Sequence, residues 1–276
     1  VYLRLSLGFF VVTACFCTSA APPMEPWSEE SVRSAIASRG DFSPFPRYQD
    51  RTFWKGVAEN PQLSPTTPDL LKTARDLKDK DLPPLPASKY LEFQRNGNRT
   101  RYQNLLSERG EFLNAFAVAE CLSGTGEFID PLMDTIWAYC EESDWCYPAH
   151  TGGLVDMKMP HIDLRATHVA ADLALLDYVF NEALPKPVRE RIRYELDRRI
   201  FEPYLTREFG WMTVDNNWNG VCNGSILRAA LLIGDENERL AKIILRAQNG
   251  LCHYFKGFGQ DGGTAEGIGY WNYGFS

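Results

Sequence analysis

Histidine is scarce in this chain, with four copies in 276 residues: His150, His161, His168 and His253. The seven cysteines show no close zinc-type pairing, so no metal site can be read from the sequence. Basic residues are outnumbered, 29 Lys and Arg against 36 Asp and Glu, a formal net charge of −7. That balance argues against a general nucleic-acid binder, which carries a basic face. It leaves room for an acidic ligand, because a local group of Arg and Asn can hold an anion on an acidic protein. No Gly-x-Ser-x-Gly elbow and no P-loop occurs, which removes the usual Ser/His/Asp hydrolases and phosphate-cradling enzymes. Period-two alternation is absent from the body of the chain, so no sheet is expected.

The one marked apolar run follows Arg4, from Leu5 to Phe16, and ends in small residues through Thr18-Ser19-Ala20-Ala21. It is short for a membrane span and has the shape of a cleavable export signal over residues 1–21, so a periplasmic or secreted protein is expected. Val12-Thr13-Ala14-Cys15 also resembles a bacterial lipobox, with Cys15 as the lipid anchor. No transmembrane span is expected once the leader is removed. Beyond it lie Cys121, Cys140, Cys146, Cys222 and Cys252. Cys140 and Cys146 either bridge in an oxidising compartment or remain buried thiols.

Residues 22–85 are rich in Pro, Ser and aromatics and read as an irregular arm with one or two short helices. Ser28-Glu29-Glu30-Ser31 has the form of a helix start, and Pro83-Pro84-Leu85-Pro86 breaks the chain before the next helical stretch. From about residue 100 the pattern is serially helical. Val169, Leu173, Leu176 and Phe180 share one face of a helix expected over 164–181, and Val188, Ile192, Leu196 and Ile200 share one over 186–205. Residues 226–233 are apolar all round, as in a helix buried on most sides, and 236–256 are amphipathic. Gly124, Gly210, Gly234 and Gly257 mark helix ends. Repeated helical hairpins without a fixed repeat period predict an all-α fold, an α/α toroid rather than a solenoid.

Two segments concentrate amides, aromatics and glycines between these helices: Asn216-Asn217-Trp218-Asn219-Gly220-Val221-Cys222-Asn223-Gly224, and Asp261 through Gly274. Asn216, Asn217, Asn219 and Asn223 can hold sugar hydroxyls or a carboxylate without adding charge, or can cap helices and close turns. Trp218 and Trp271 can stack on pyranose rings. Glu266, Tyr270 and Tyr273 are candidate binding or proton-transfer groups, although tyrosines at this spacing are also common packing residues. His150, in a loop before Thr151-Gly152-Gly153, suits ligand contact; His168 and His253 fall on helices, where a structural role is the simpler reading. A carboxylate pair, Asp261 with Glu266, offers the alternative of glycoside hydrolysis. A third alternative is glycan binding without catalysis.

Several blocks in order resemble heparinase II/III-like proteins: Arg99-Thr100-Arg101-Tyr102, Ala119-Glu120-Cys121, Ile136 through Ser143, Trp145-Cys146-Tyr147-Pro148-Ala149-His150, Asn216-Asn217-Trp218-Asn219 and Glu266 through Trp271. The resemblance covers roughly residues 85–276. It implies an exported α/α toroid over 86–276 that acts by β-elimination on an acidic, uronic-acid-containing polysaccharide. Relatives continue into a β-sandwich domain, so we expect a chain cut short at Ser276. No cofactor is evident, and the resemblance allows a structural metal such as zinc only in that further domain. Carried over by position, Asn217 would neutralise the uronate carboxylate and Tyr273, followed by Gly274, would be the acid/base, with Tyr270 as its alternative. His150, Asn216, Trp218, Asn219, Asn223, Glu266 and Trp271 would contact the sugar. Where relatives place a histidine after two asparagines, this chain has Trp218.

Overall fold

The computed structural model describes residues 26–40, 43–234 and 236–275; the leader read over 1–21, with Cys15, lies outside them. The described chain is all-helical, and its only extended pairing is a single bridge between Phe258 and Thr264. An N-terminal group comprises α1 (Glu29–Ser38), α2 (Arg51–Glu59) and α3 (Thr67–Lys78). Two short helices follow, α4 (Ala87–Tyr90) and α5 (Glu92–Asn96), then the long α6 (Thr100–Ser123), α7 (Ile129–Glu141) and the single turn α8 (Pro148–Thr151). The remainder holds α9 (Leu164–Phe180), α10 (Lys186–Leu196), α11 (Glu202–Thr206), α12 (Asn217–Ile233), α13 (Asn237–Phe255) and α14 (Ile268–Gly274).

The periodicity over 164–181 corresponds closely to α9. The helix expected over 186–205 is interrupted by a π-helical stretch, Asp197–Phe201, before α11. Pro203 lies in the first turn of α11 and has no N–H to offer the preceding turn, so the ladder shifts register just ahead of it. Ser28 caps α1, its hydroxyl accepting from Ser31 N at 3.1 Å. Gly124 ends α6 at φ 61, a left-handed conformation natural to glycine. A Cβ there would also strike the Arg51 guanidinium, which donates to Cys121 O at 2.9 Å.

The described residues between 26 and 85 are more helical than their composition suggests and pack onto the rest of the chain. Val32, Ile36, Ala74 and Leu77 enter the same hydrophobic core as the later helices, with α3 against α6 and α1 against α13. Tyr48 supports this docking by donating to Glu120 at 2.7 Å; the buried Glu120 carboxylate also accepts from Gly126 N and Phe128 N at the start of α7. Glu142 is a second buried hub, paired with Arg109 and Arg165. Glu195 is a third, holding Arg191, Arg198 and Arg199. Acidic residues of the quoted sequence blocks thus include cross-links of the core.

At the centre α9 and α12 lie side by side, each buried over most of its circumference, so their sequences lack a polar stripe. They run in the same direction. Residues at both N-terminal ends meet one another, and Asp177 and Tyr178 of α9 share a cavity with Leu231 to Gly234 at the far end of α12. Helix α13 covers α12 and α10 packs on α9, each reached by a short connection. Cys121, Cys140, Cys146 and Cys222 are buried thiols, so Cys140 and Cys146 do not bridge, and the half-buried Cys252 forms no disulfide. No helix of the described residues is long and apolar enough to cross a membrane.

Candidate functional site

The asparagine-rich segment is a helix N-terminus rather than a loop. Asn216 is the N-cap of α12, its side chain accepting from Trp218 N at 3.1 Å, and Asn217 through Gly224 form the first two turns. Asn217 is buried and meets Glu266 twice: its backbone N–H donates to Oε2 at 2.6 Å and its Nδ2 donates to Oε1 at 2.5 Å. Asn217 Oδ1 is buried and has no hydrogen-bond partner within the protein. The carboxylate of Glu266 therefore sits at the positive end of α12 and fastens the 258–267 turn to it.

Two of the predicted sugar ligands are instead part of the core. Asn219 is fully buried, its Nδ2 donating to Met212 O at 3.0 Å and Val214 O at 2.8 Å. Asn223, equally buried, donates to Asn219 Oδ1 at 2.7 Å and accepts from the Tyr204 hydroxyl at 2.6 Å. A helix passing through the core can carry these amides only because each finds partners inside the protein. The two asparagines join α12 to the Gly210–Thr213 turn and to α11.

His150 lies beside Trp218, ring centroids 4.6 Å apart. Its Nδ1 is 2.6 Å from Asp163 Oδ2, and Asp163 is completely buried. Asp163 is the N-cap of α9 and accepts from Ala166 N at 2.8 Å and from Tyr147 N at 2.9 Å. An acceptor carboxylate at Nδ1 selects the tautomer with the proton there, leaving Nε2 to accept a proton. No protein hydrogen bond is made by Nε2. Sequence reasoning passed over Asp163, although an aspartate directly before an apolar helical period is a recognisable N-cap.

Tyr273 is half-buried on α14, its ring edge-on to His168 of α9 at 5.7 Å. His168 is thus helical, as expected, yet faces the candidate site. Tyr270 is 56% exposed, whereas the Trp271 indole donates to Gly262 O at 2.9 Å and packs on Phe275. Trp271 therefore braces the turn below it. Asp261 is exposed and accepts from Gly263 N at 3.0 Å within that turn.

Close approach of α14 to α12 depends on Gly220, where a Cβ would lie 2.7 Å from Gly274 O and 2.8 Å from the Tyr254 ring. Tyr254, buried beneath this crossing, was not singled out by sequence. Burial, with the Glu266 carboxylate adding to it, pushes its hydroxyl up to about 12, so it stays protonated at neutral pH. Burial lowers the His161 imidazole below its ordinary value despite the opposing pull of Asp163 and Asp144.

One end of the α9–α12 pair therefore gathers a carboxylate-oriented imidazole, an indole face, a buried amide and a tyrosine. Asn216, Asn217, Trp218, His150, Glu266 and Tyr273 are brought to it, while Asn219 and Asn223 are not available to a ligand. Among the described residues no group of three His, Cys, Asp or Glu side chains is arranged to hold a metal ion. No protein-family model matches the chain, and no curated protein matches it.

Proposed function

We propose that this protein is an exported polysaccharide lyase of the heparinase II/III type, cleaving uronic-acid-containing glycans by β-elimination from an α/α toroid. The observation that carries the reading is the His150–Asp163 pair, its imidazole packed at a tilt against Trp218, at the end of the molecule that also holds Asn217 and Tyr273. With tryptophan at the place where relatives have a histidine, His150 is the imidazole beside that position. Two buried parallel helices, each followed by a short connection and a covering helix, support the toroid.

In this scheme Asn217 binds the uronate carboxylate. Glu266 holds that seat in the free protein, and the entering carboxylate takes its place as acceptor from Asn217 Nδ2. Asn217 Oδ1 then receives a sugar hydroxyl, which supplies the partner it lacks. Neutralising the carboxylate acidifies the proton on the neighbouring carbon, and His150 Nε2 removes that proton. The electron pair forms the carbon–carbon double bond as the glycosidic carbon–oxygen bond breaks, and Tyr273 gives its proton to the departing oxygen. No water is consumed. Trp218 and the exposed Tyr270 form sugar-facing aromatic surface, Asn216 lines the entry, and Glu266, once displaced, accepts from a sugar hydroxyl.

Hydrolysis by Asp261 and Glu266 is less well supported, because Asp261 is tied into its own turn and Glu266 clamps Asn217. The test is ultraviolet absorbance of the conjugated uronide during incubation with alginate, heparin, chondroitin and pectin-type polymers. New reducing ends without that absorbance would establish hydrolysis instead. Sugar binding without either product would establish a non-catalytic glycan-binding protein.

A further inference from the structure

The opposite end of the α9–α12 pair holds a cavity of about 420 Å³ lined by Arg39, Arg47, Arg189 and Arg193, with Asp177 the one acidic residue among the described residues of its wall. Three of the guanidiniums are fixed in place by the protein. Asp177 accepts from Arg189 Nε at 2.8 Å and Arg193 Nη2 at 2.6 Å, and Arg193 Nη1 donates to Ile233 O at 3.0 Å. Arg47 donates to Tyr178 O at 2.5 Å and lies over the Tyr178 ring at 3.8 Å. Arg39, just past α1, is different: its Nη1 is buried and meets no protein acceptor.

Among the described residues, local compensation does not account for four cations. The two helix C-termini contribute roughly half a negative charge each and Asp177 contributes one, which leaves about two positive charges over within that set. This surplus sits on a protein whose net charge is −7. Guanidinium groups are planar donors suited to two-point contact with oxyanions, and the cavity lies within the size range of small-molecule sites.

We propose that this cavity is a second ligand site, independent of the candidate catalytic end, for an oxyanion: a sulfate, phosphate or carboxylate group, free or carried on a sugar-sized molecule. The buried Nη1 of Arg39 is its principal donor, and Arg189 and Arg47 are preset around it. Helix α12 spans 17 residues, which places the two sites roughly 25 Å apart along its axis. Neither site's ligand touches the other's residues.

Isothermal titration of the purified protein with sodium sulfate, and in parallel with a sulfated monosaccharide, tests this at low ionic strength. Saturable binding of at least one probe is expected, weakened at least tenfold in Arg39→Gln and less in Arg39→Lys. Arg39 has no side-chain partner, so the variant should keep its circular dichroism spectrum; Arg189→Gln gives a second loss if the cavity is the site. Equal affinity for both probes identifies a free-ion site, and tighter binding of the sulfated sugar identifies a carried group. No saturable binding by either probe, or unchanged binding in Arg39→Gln, overturns the proposal.

Discussion

At the N-terminal ends of α9 and α12, Asp163 and Glu266 accept backbone N–H groups, and the polar side chains beside them are amides, an imidazole and a tyrosine. At the C-terminal ends four arginines gather around backbone carbonyls and, among the described residues, a single aspartate. Both arrangements answer the same helix dipoles, with anions at the positive end and cations at the negative end. They differ in surplus. The N-terminal carboxylates are matched by donors and one of them also orients an imidazole, which suits proton transfer. Among its described residues the arginine end carries more charge than the helices require, which suits binding. Parallel helices thus give one protein two ends of distinct chemistry from one pair of elements.

The largest effects should come from breaking the N-terminal end. His150→Ala should lower uronide formation by about 10²–10⁴-fold, the usual range for a lost general base, with the helical circular dichroism signal retained. Tyr273→Phe should fall in the same range through loss of the proton given to the departing oxygen. Neither substitution should change anion binding at the arginine end, so equal losses at both ends would dissolve the distinction.

Gly220→Ala should cost about 1–3 kcal/mol in urea unfolding, because the added methyl would meet Gly274 O and Tyr254. Activity should drop with it, since α14 carries Tyr273. At the other end, Asp177→Asn should cost about 1–2 kcal/mol, a figure reduced because Arg189 and Arg193 are partly solvated. The same change should tighten sulfate binding by removing a competing carboxylate, a gain that distinguishes a binding cavity from a purely structural ion cluster.

The smallest effect concerns pH. Burial lowers the His161 pKa in the folded protein below its ordinary value of 6.5. The unfolded chain therefore takes up the proton first, and stability should decline as pH falls below about 6.5, levelling off beneath the folded value. His161→Gln should flatten that part of a thermal-stability profile. A decline of unchanged steepness in the variant would assign the acid sensitivity to other groups.

How far the sequence carried this account depended on what each element needed. Helix α9 was legible because its apolar period is long and ends cleanly, and α1 because Ser28 has an evident capping role. The start of α12 was not. Asparagine and glycine are weak helix formers, so Asn216 through Gly224 resembles a loop until packing against α9 and internal amide bonds override propensity. For the same reason Asn219 and Asn223 looked like ligand-facing groups and are core cross-links. Apart from Asp163, the residues around the N-terminal site were named individually, but the contacts of His150 with Trp218 and of His168 with Tyr273 join segments far apart in the chain. The arginine cavity left no trace, since Arg39, Arg47, Arg189 and Arg193 belong to three separate stretches with no shared pattern.

The claim that the N-terminal end performs β-elimination is tested most directly by following ultraviolet absorbance of the unsaturated uronide with wild-type protein and His150→Ala on the same panel of uronic-acid polymers. The account predicts steady growth of absorbance with at least one polymer and its near-complete loss in the variant. Full activity in His150→Ala, or reducing ends released by the wild type without the absorbance, would contradict it.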